Sequence, residues 1–264
     1  LGAGGGLVTA ALTFGGTGDS PGYANTEEWN GTNWTERNDL NTARRYLGAA
    51  GTSTATVVFG GDSGGDKDET ELWNGTNWTE VNNMNTDKRN AANAGIITSA
   101  LVAGGQGPST NMSQTEIWNG TNWTEVNDLN TARRGLDGAG STNTAAVAMG
   151  GYTTTFVGDT ELWNGTNWTE VNDLNTGRRY NGGIGLITSA LTMGGETPGG
   201  AQAITEDWNG ASWSEVADLN TARYYANGAG STTAGLASGG NTASTDTATE
   251  EWNAGKTVKT VDTD

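Results

Sequence analysis

The chain has 264 residues and a formal net charge of −17, with 30 acidic and 13 basic residues. This charge disfavours nucleic acid and anionic membranes as partners, because both are bound through clustered basic residues. The absence of His and Cys removes the usual general bases, thiol nucleophiles and transition-metal ligands. We therefore expect a protein that is not an enzyme and that holds no cofactor and no metal.

The second repeat shows the predicted elements in chain order. Residues 46–51 are rich in Gly and Ala, and residues 55–59 are β-branched and apolar before they stop at a Gly-Gly pair. Residues 70–73 and 78–81 alternate in polarity, as half-buried strands do. An Asn-Gly turn signal separates these two segments. The repeat therefore predicts four short strands, called a, b, c and d, which are joined as one propeller blade.

The same pattern returns along the whole chain with a period of 44 or 45 residues. The first Trp of each repeat lies at Trp29, Trp73, Trp118, Trp163, Trp208 and Trp252. A period of this length with four strands per unit indicates an all-β, six-bladed β-propeller that forms one domain. The predicted blades are residues 1–43, 44–87, 88–132, 133–177, 178–222 and 223–264.

The phase of the repeats predicts how the ring closes. Leu1 aligns with Tyr46 at the start of strand a, and residues 257–262 fall at the position of strand d. Each blade would then contain its own four strands, so we expect closure by packing alone, without strand exchange. The chain starts at Leu1 instead of Met, already inside a repeat, which indicates a processed product, an excised piece or an incomplete sequence.

The repeat resembles the kelch repeat over the whole chain. The resemblance lies in the double Gly after strand b, the Glu-x-aromatic strand c, the Trp that opens strand d and the Arg before strand a. The amino-acid sequence of the repeat is more specifically similar to kelch-like repeats encoded by marine bacteriophages. Some of those repeats belong to tail or other virion proteins. The resemblance implies a virion or extracellular binding module with virion proteins or a host-surface glycan or protein as partners. A marine bacterial adhesin and a purely structural virion element are the alternatives.

The paired Trp residues have two interpretations. Trp73 and Trp78 lie on hairpin-linked strands, where exposed Trp side chains would form a sugar platform. A residue that recurs in nearly every blade more often serves the frame itself, so burial between blades is the favoured interpretation.

Basic pairs recur between strand d and the next strand a. The resemblance to kelch proteins implies a basic ring at the channel mouth, and its candidate members are Arg44, Lys88, Arg133, Arg178 and Arg223. Alternatively, these cations pair with the Glu that begins strand c, because both connections lie on one face of a propeller. One basic residue of each pair could serve each role.

The loops between strands b and c differ most among blades, and a constant frame with variable loops is typical of a binding surface. The alternative is drift of unconstrained loops. The candidate ligand-binding residues on this face are Tyr23, Asp62, Asp66, Asp68, Tyr152 and Phe156. The three Asp residues are spaced closely enough for Ca²⁺, but they lack the EF-hand pattern and occur in one blade only. A solvated acidic loop is the favoured interpretation, so no metal site is predicted.

Overall fold

A computed structural model describes residues 3–17, 22–242, 248–253 and 257–261. These residues form six four-stranded antiparallel sheets in which each strand pairs with the next strand of its blade. The first three blades comprise β1 (Ala3–Leu7), β2 (Ala10–Gly16), β3 (Tyr23–Trp29), β4 (Trp34–Arg37); β5 (Gly48–Thr52), β6 (Ala55–Phe59), β7 (Thr70–Trp73), β8 (Trp78–Val81); and β9 (Ala92–Ile96), β10 (Ser99–Ala103), β11 (Thr115–Trp118), β12 (Trp123–Val126). The remaining blades comprise β13 (Asp137–Thr142), β14 (Ala145–Met149), β15 (Thr160–Trp163), β16 (Trp168–Glu170); β17 (Gly182–Leu186), β18 (Ser189–Met193), β21 (Thr205–Trp208), β22 (Trp213–Glu215); and β23 (Asn227–Ser231), β24 (Ala234–Ser238), β25 (Thr249–Asn253), β26 (Thr257–Val261). A further hairpin, β19 (Glu196–Thr197) and β20 (Gly200–Ala201), lies in the fifth b–c loop.

The prediction of an all-β, six-bladed propeller is confirmed. The described residues contain no helix. Accordingly, no helix among them has the length and apolar character needed to cross a membrane. Because successive strands run in opposite directions, the b–c loops and the connections between blades share one face, called the top face here. The a–b and c–d turns lie on the opposite, bottom face.

The core lies between neighbouring blades. One apolar cluster joins Leu12 and Phe14 of the first blade to Val58, Trp73 and Trp78 of the second, and equivalent clusters recur around the ring. Trp73 is 1% exposed and Trp78 is 6% exposed. Burial of an aromatic side chain contributes strongly to a core. The interpretation of the Trp pairs as core is therefore confirmed, and a surface platform is excluded for these residues.

Each Trp of a pair also makes one polar contact. Trp73 Nε1 donates to the Ser53 carbonyl in its own blade at 3.0 Å, whereas Trp78 Nε1 donates to Thr26 Oγ1 of the preceding blade at 3.0 Å. The same inter-blade bond joins Trp34 Nε1 to Thr249 Oγ1 at 3.4 Å across the junction of the first and last blades. The described sheets exchange no strand there, so the ring closes by side-chain packing and hydrogen bonding.

The innermost strands explain the Gly and Ala content of strand a. These strands converge on the axis, where the backbones of neighbouring blades leave little room for side chains. A Cβ at Gly138 would lie 2.7 Å from the carbonyl oxygen of Asn93 in the preceding blade. The sequence therefore keeps small residues here so that six blades fit around a narrow channel.

Candidate binding surface at the channel mouth

The first basic residue of each pair lies in the blade interior. Arg44, Arg133, Arg178 and Arg223 are fully buried, and Lys88 is 1% exposed. These cations pair with carboxylates on strand c, namely Glu71, Glu161, Glu206, Glu250 and Glu116 respectively. The expectation that these five cations ring the channel mouth is thus corrected, because their side chains turn away from the mouth toward the Glu.

The buried carboxylates also fix the inter-blade connection. Glu71 Oε1 lies 2.6 Å from Arg44 Nη2, while its Oε2 accepts from the Asn41 backbone and side-chain amides at 2.8 Å each. Burial lowers the pKa of Lys88, and Glu116 opposes that shift. Each buried charge is thus paired with an opposite one, as burial requires. These residues hold the frame, and they present no free charge to a ligand.

The second basic residue of each pair lies at the top face. The side chains of Arg45, Arg89 and Arg179 are 28%, 24% and 21% exposed. Consecutive residues of extended backbone point in opposite directions, so burial of the first cation turns the second outward. The basic residues nearest the mouth are therefore the neighbours of the predicted ones.

Each second position forms a backbone bridge to the first residue of the b–c loop in its blade. These bridges join Arg45 to Asp62, Arg89 to Gln106, Arg134 to Tyr152, Arg179 to Glu196 and Tyr224 to Asn241. The backbone contact is constant, but the loop residue is an acid, an amide or an aromatic ring. The side-chain chemistry of the top face thus differs from blade to blade, although the backbone geometry is the same in each.

Two b–c loops combine the same backbone with different side chains most clearly. Residues 62–69 and 152–159 have the same length, and both are closed by corresponding backbone bonds. Lys67 N donates to the Gly61 carbonyl and Val157 N to the Gly151 carbonyl, each at 3.0 Å. The loops therefore share a backbone, while Asp62 and Asp66 stand where Tyr152 and Phe156 stand.

The predicted residues of these loops form two compact corners with the arginines. In the ionic corner, Asp62 pairs with Arg45 at 3.2 Å and also with Arg89, and Asp66 lies 2.7 Å from Arg89 Nη1. Burial raises the pKa of Asp66, and Arg89 opposes the shift.

In the aromatic corner, the rings of Tyr152 and Phe156 meet edge to face at 5.4 Å. The Arg134 and Arg179 guanidiniums lie 5.0 and 4.9 Å from the Tyr152 ring. This spacing permits cation–π attraction.

Two other predicted residues stand apart from these corners. Tyr23 begins β3 and is 52% exposed. Asp68 accepts a hydrogen bond from Asn83 Nδ2 at 3.1 Å, and burial raises its pKa. The three Asp residues of this loop do not converge, and the described part of the chain contains no group of three or more acidic side chains arranged to hold a metal.

The structure adds a feature that was missed in the sequence, a ring of residues around the axis that we call the axial ring. Its described members are Tyr46, Asn90, Gly135, Tyr180 and Tyr225, with φ between 53° and 66°. Backbone bonds link them from blade to blade, such as Gly135 N to the Asn90 carbonyl at 2.8 Å and Tyr180 N to the Gly135 carbonyl at 2.6 Å. The signal for it was the appearance of Asn and Gly at one repeat position, since both favour this backbone region.

Tyrosine rings of the axial ring pack together at the channel mouth. The Tyr180 and Tyr225 rings stack at 3.9 Å, and the Tyr46 ring lies 5.3 Å from that of Tyr225. Above them is a cavity of about 260 Å³, called the mouth cavity. Its lining residues are Arg45, Tyr46, Asp62, Arg89, Asn90, Gln106, Tyr180 and Tyr225.

A second cavity, in the channel below, also borders these rings. This cavity of about 110 Å³ is lined by all three axial tyrosines together with Asn93, Asp137 and other residues of the inner strands. Asp137 accepts hydrogen bonds from the Gly138 and Gly183 backbone amides at 2.7 and 2.5 Å. Burial raises the pKa of Asp137 to about 7, although these two bonds oppose the shift.

Comparison with known proteins identifies the fold but not the activity. The structure is similar to a solved structure described as "Structure of YjhT", with a TM-score of 0.79 and 12% sequence identity. The match covers 99% of this chain and 97% of that chain. No protein-family model matches the sequence, and no curated protein matches it. At this identity the likeness concerns the fold alone.

Proposed function

We propose that the protein is a non-enzymatic binding module that contacts a host-surface glycan or protein through its top face. The observation that carries the proposal is the equal backbone of the loops at 62–69 and 152–159, which present an ionic corner in one blade and an aromatic corner in another. Varied side chains on a rigid, repeated frame are the arrangement expected of a recognition surface.

The proposed setting is the surface or tail of a virion. It is supported by the resemblance of the repeat to kelch-like repeats of marine bacteriophages, and by a net charge of −17, which keeps copies soluble and apart. A cell-surface adhesin would use the same face. A purely structural virion element would have no need of it, so a test of the top face separates this alternative from the first two.

The test is a loop exchange that the equal lengths make conservative. Residues 152–159 are replaced by the sequence of residues 62–69, and binding to intact marine bacterial cells and to a glycan array is measured beside the thermal melt. We expect an unchanged melting temperature and weaker binding, because the backbone is retained while Tyr152 and Phe156 are lost.

A matched control changes the bottom face. The double substitution Ala211→Thr and Ser212→Asn gives the fifth c–d hairpin the sequence of its neighbours, and we expect no change in binding. If binding survives exchange of every b–c loop, then the bottom face or the arginines must carry the interaction. The proposal would then be wrong about which surface binds.

A further inference from the structure

The axial ring has tyrosines where its backbone favours other residues. Gly135 and Asn90 suit the left-handed conformation of this position, whereas Tyr46, Tyr180 and Tyr225 adopt φ values of 59°, 58° and 60°. A bulky side chain rarely occupies this region, and such strain tends to persist where the side chain has a function. The backbone bonds of the ring are made by Gly135 as well as by Tyr180. The backbone geometry of the axial ring therefore does not itself require tyrosine.

The tyrosine rings form the floor of the mouth cavity. All three line both this cavity and the channel cavity beneath it, so they lie between the two. Gly135 makes room for the Tyr180 ring, because a Cβ there would lie 2.7 Å from that ring. The floor is thus a fixed aromatic surface that faces the opening at the top of the channel.

The wall of the cavity is polar and balanced in charge. Arg45 and Arg89 supply donors and Asp62 supplies acceptors. Asp66, which belongs to the same loop as Asp62 but lies behind the lining, balances Arg89. Two guanidiniums face two carboxylates, so the four side chains carry no net charge. Asn90 and Gln106 add amides that both donate and accept. A ligand in this cavity therefore meets both hydrogen-bond donors and acceptors, but no unpaired charge that it would have to neutralise.

The size and chemistry of the cavity limit the classes of ligand that it can bind. Its volume of about 260 Å³ lies just below the roughly 300–1,000 Å³ of sites for drug-sized molecules, which suits one ring. An apolar ring would leave the wall groups unpaired, at a cost in free energy. A carboxylated ligand would compete with Asp62 for the arginines and would approach a protein of net charge −17.

We infer that the mouth cavity binds one uncharged sugar ring, the terminal residue of a glycan, and this inference rests on the proposed function. The apolar face of a pyranose lies on the tyrosine floor, and its hydroxyl groups meet the Asp62 carboxylate and the guanidiniums and amides of the wall. Aromatic floors with a few convergent polar groups are the usual composition of small-ligand sites. The site therefore binds the terminal sugar of a glycan, while the surrounding loops contact the sugars or the protein to which that terminal sugar is attached.

The test uses neutral methyl glycosides of glucose, galactose, mannose, fucose, N-acetylglucosamine and N-acetylgalactosamine. Binding to the intact protein is measured by saturation-transfer NMR and titration calorimetry at millimolar concentrations, beside methyl glucuronide as a charged probe. We expect at least one neutral glycoside to bind and the glucuronide to bind more weakly. If no neutral glycoside binds, or if the glucuronide binds best, the inference is overturned.

Two variants place the binding at the floor. Tyr180→Asn and Tyr46→Asn give the axial ring the residue that Asn90 already provides, so the backbone conformation is retained while the aromatic surface is lost. We expect each folded variant to bind the glycoside at least about tenfold more weakly. Leu186→Asn, at an exposed bottom-face position, is the control and should bind as the wild type does. Equal binding by a folded Tyr180→Asn or Tyr46→Asn protein would contradict the inference.

The failures of the two proposals are distinguishable. If loop exchange weakens cell binding while no glycoside binds, the top face stays the recognition surface and the sugar inference is wrong. If a glycoside binds through the tyrosines while loop exchange leaves cell binding unchanged, the loops are not the contact surface.

Discussion

Arg133 and Glu161 form an ion pair inside the fourth blade, with side chains that are 0% and 2% exposed. The carboxylate accepts two further bonds at 2.8 Å from the Asn130 backbone and side-chain amides. Arg134, the next residue, lies against the Tyr152 ring at the top face instead. Adjacent basic residues therefore divide two tasks, and one stabilises the frame while the other shapes the surface.

This division predicts different effects for two neighbouring substitutions. Arg133→Ala leaves Glu161 buried without its cation, which should lower the free energy of unfolding by about 3–5 kcal/mol. Arg134→Ala removes a partly exposed side chain and should cost less than about 1 kcal/mol. Denaturant unfolding of both variants measures the difference. An Arg133→Ala protein that kept its stability but lost partner binding would show that the buried pair is not structural.

The Trp pairs predict a graded series of stabilities. Trp123 is 6% exposed and donates to Thr70 Oγ1 of the preceding blade at 3.0 Å. Trp123→Ala should therefore destabilise by about 3–5 kcal/mol. Trp34 has the equivalent position in the first blade but is only half-buried, with a longer bond of 3.4 Å to Thr249. Trp34→Ala should cost clearly less, and equal costs would argue against burial as the cause.

Asp137 predicts a pH dependence of stability. Its pKa rises from 3.8 to about 7 on folding, so the folded chain binds this proton more tightly than the unfolded chain does. The associated stability is present at pH values below the unfolded pKa and is lost as the pH rises through about 7. Between about pH 5 and about pH 8, the wild type should lose about 2–3 kcal/mol more unfolding free energy than Asp137→Asn.

The control for this prediction is Asp39→Asn, which alters an exposed acid and should retain the wild-type profile. Chemical denaturation across this pH range provides the measurement. An Asp137→Asn protein with the same pH profile as the wild type would show that Asp137 has no raised pKa.

Catalysis is not expected. Without His or Cys, the chain lacks the side chains that most often act as general base, thiol nucleophile or copper ligand. We expect no turnover of glycosides, esters or alcohols, with or without added copper, in steady-state assays. One reproducible activity that disappears on substitution of a single acidic residue would overturn this expectation.

The repeat was sufficient to predict the blades because each strand has its own local pattern. The Trp, Gly-Gly and Asn-Gly signals recur at fixed spacing, so the number of blades and the burial of Trp73 followed from periodicity. The direction of the two basic side chains did not follow. Whether Arg44 or Arg45 turns inward depends on the backbone bridge between Arg45 and Asp62, a contact between segments that neither local sequence specifies.

The axial tyrosines were harder still to predict. Their arrangement depends on positive φ values and on ring contacts between different blades, such as Tyr180 with Tyr225 and Tyr46 with Tyr225. A tyrosine gives no local sign of that conformation, whereas Gly135 and Asn90 do. The sequence indicated a variable top face, but the mouth cavity emerged only from the convergence of residues that lie far apart along the chain.

The most direct test of the top-face account blocks one face at a time. The chain contains no Cys, so a single introduced Cys can carry a polyethylene glycol chain at a known position. Gly65→Cys lies in a top-face loop where a Cβ meets no atom within 4 Å, and Thr121→Cys lies in an exposed bottom-face hairpin. Binding to cells and to the glycan array is compared before and after labelling. The account predicts that the label at position 65 abolishes binding while the label at position 121 leaves it intact, and the reverse result would contradict it.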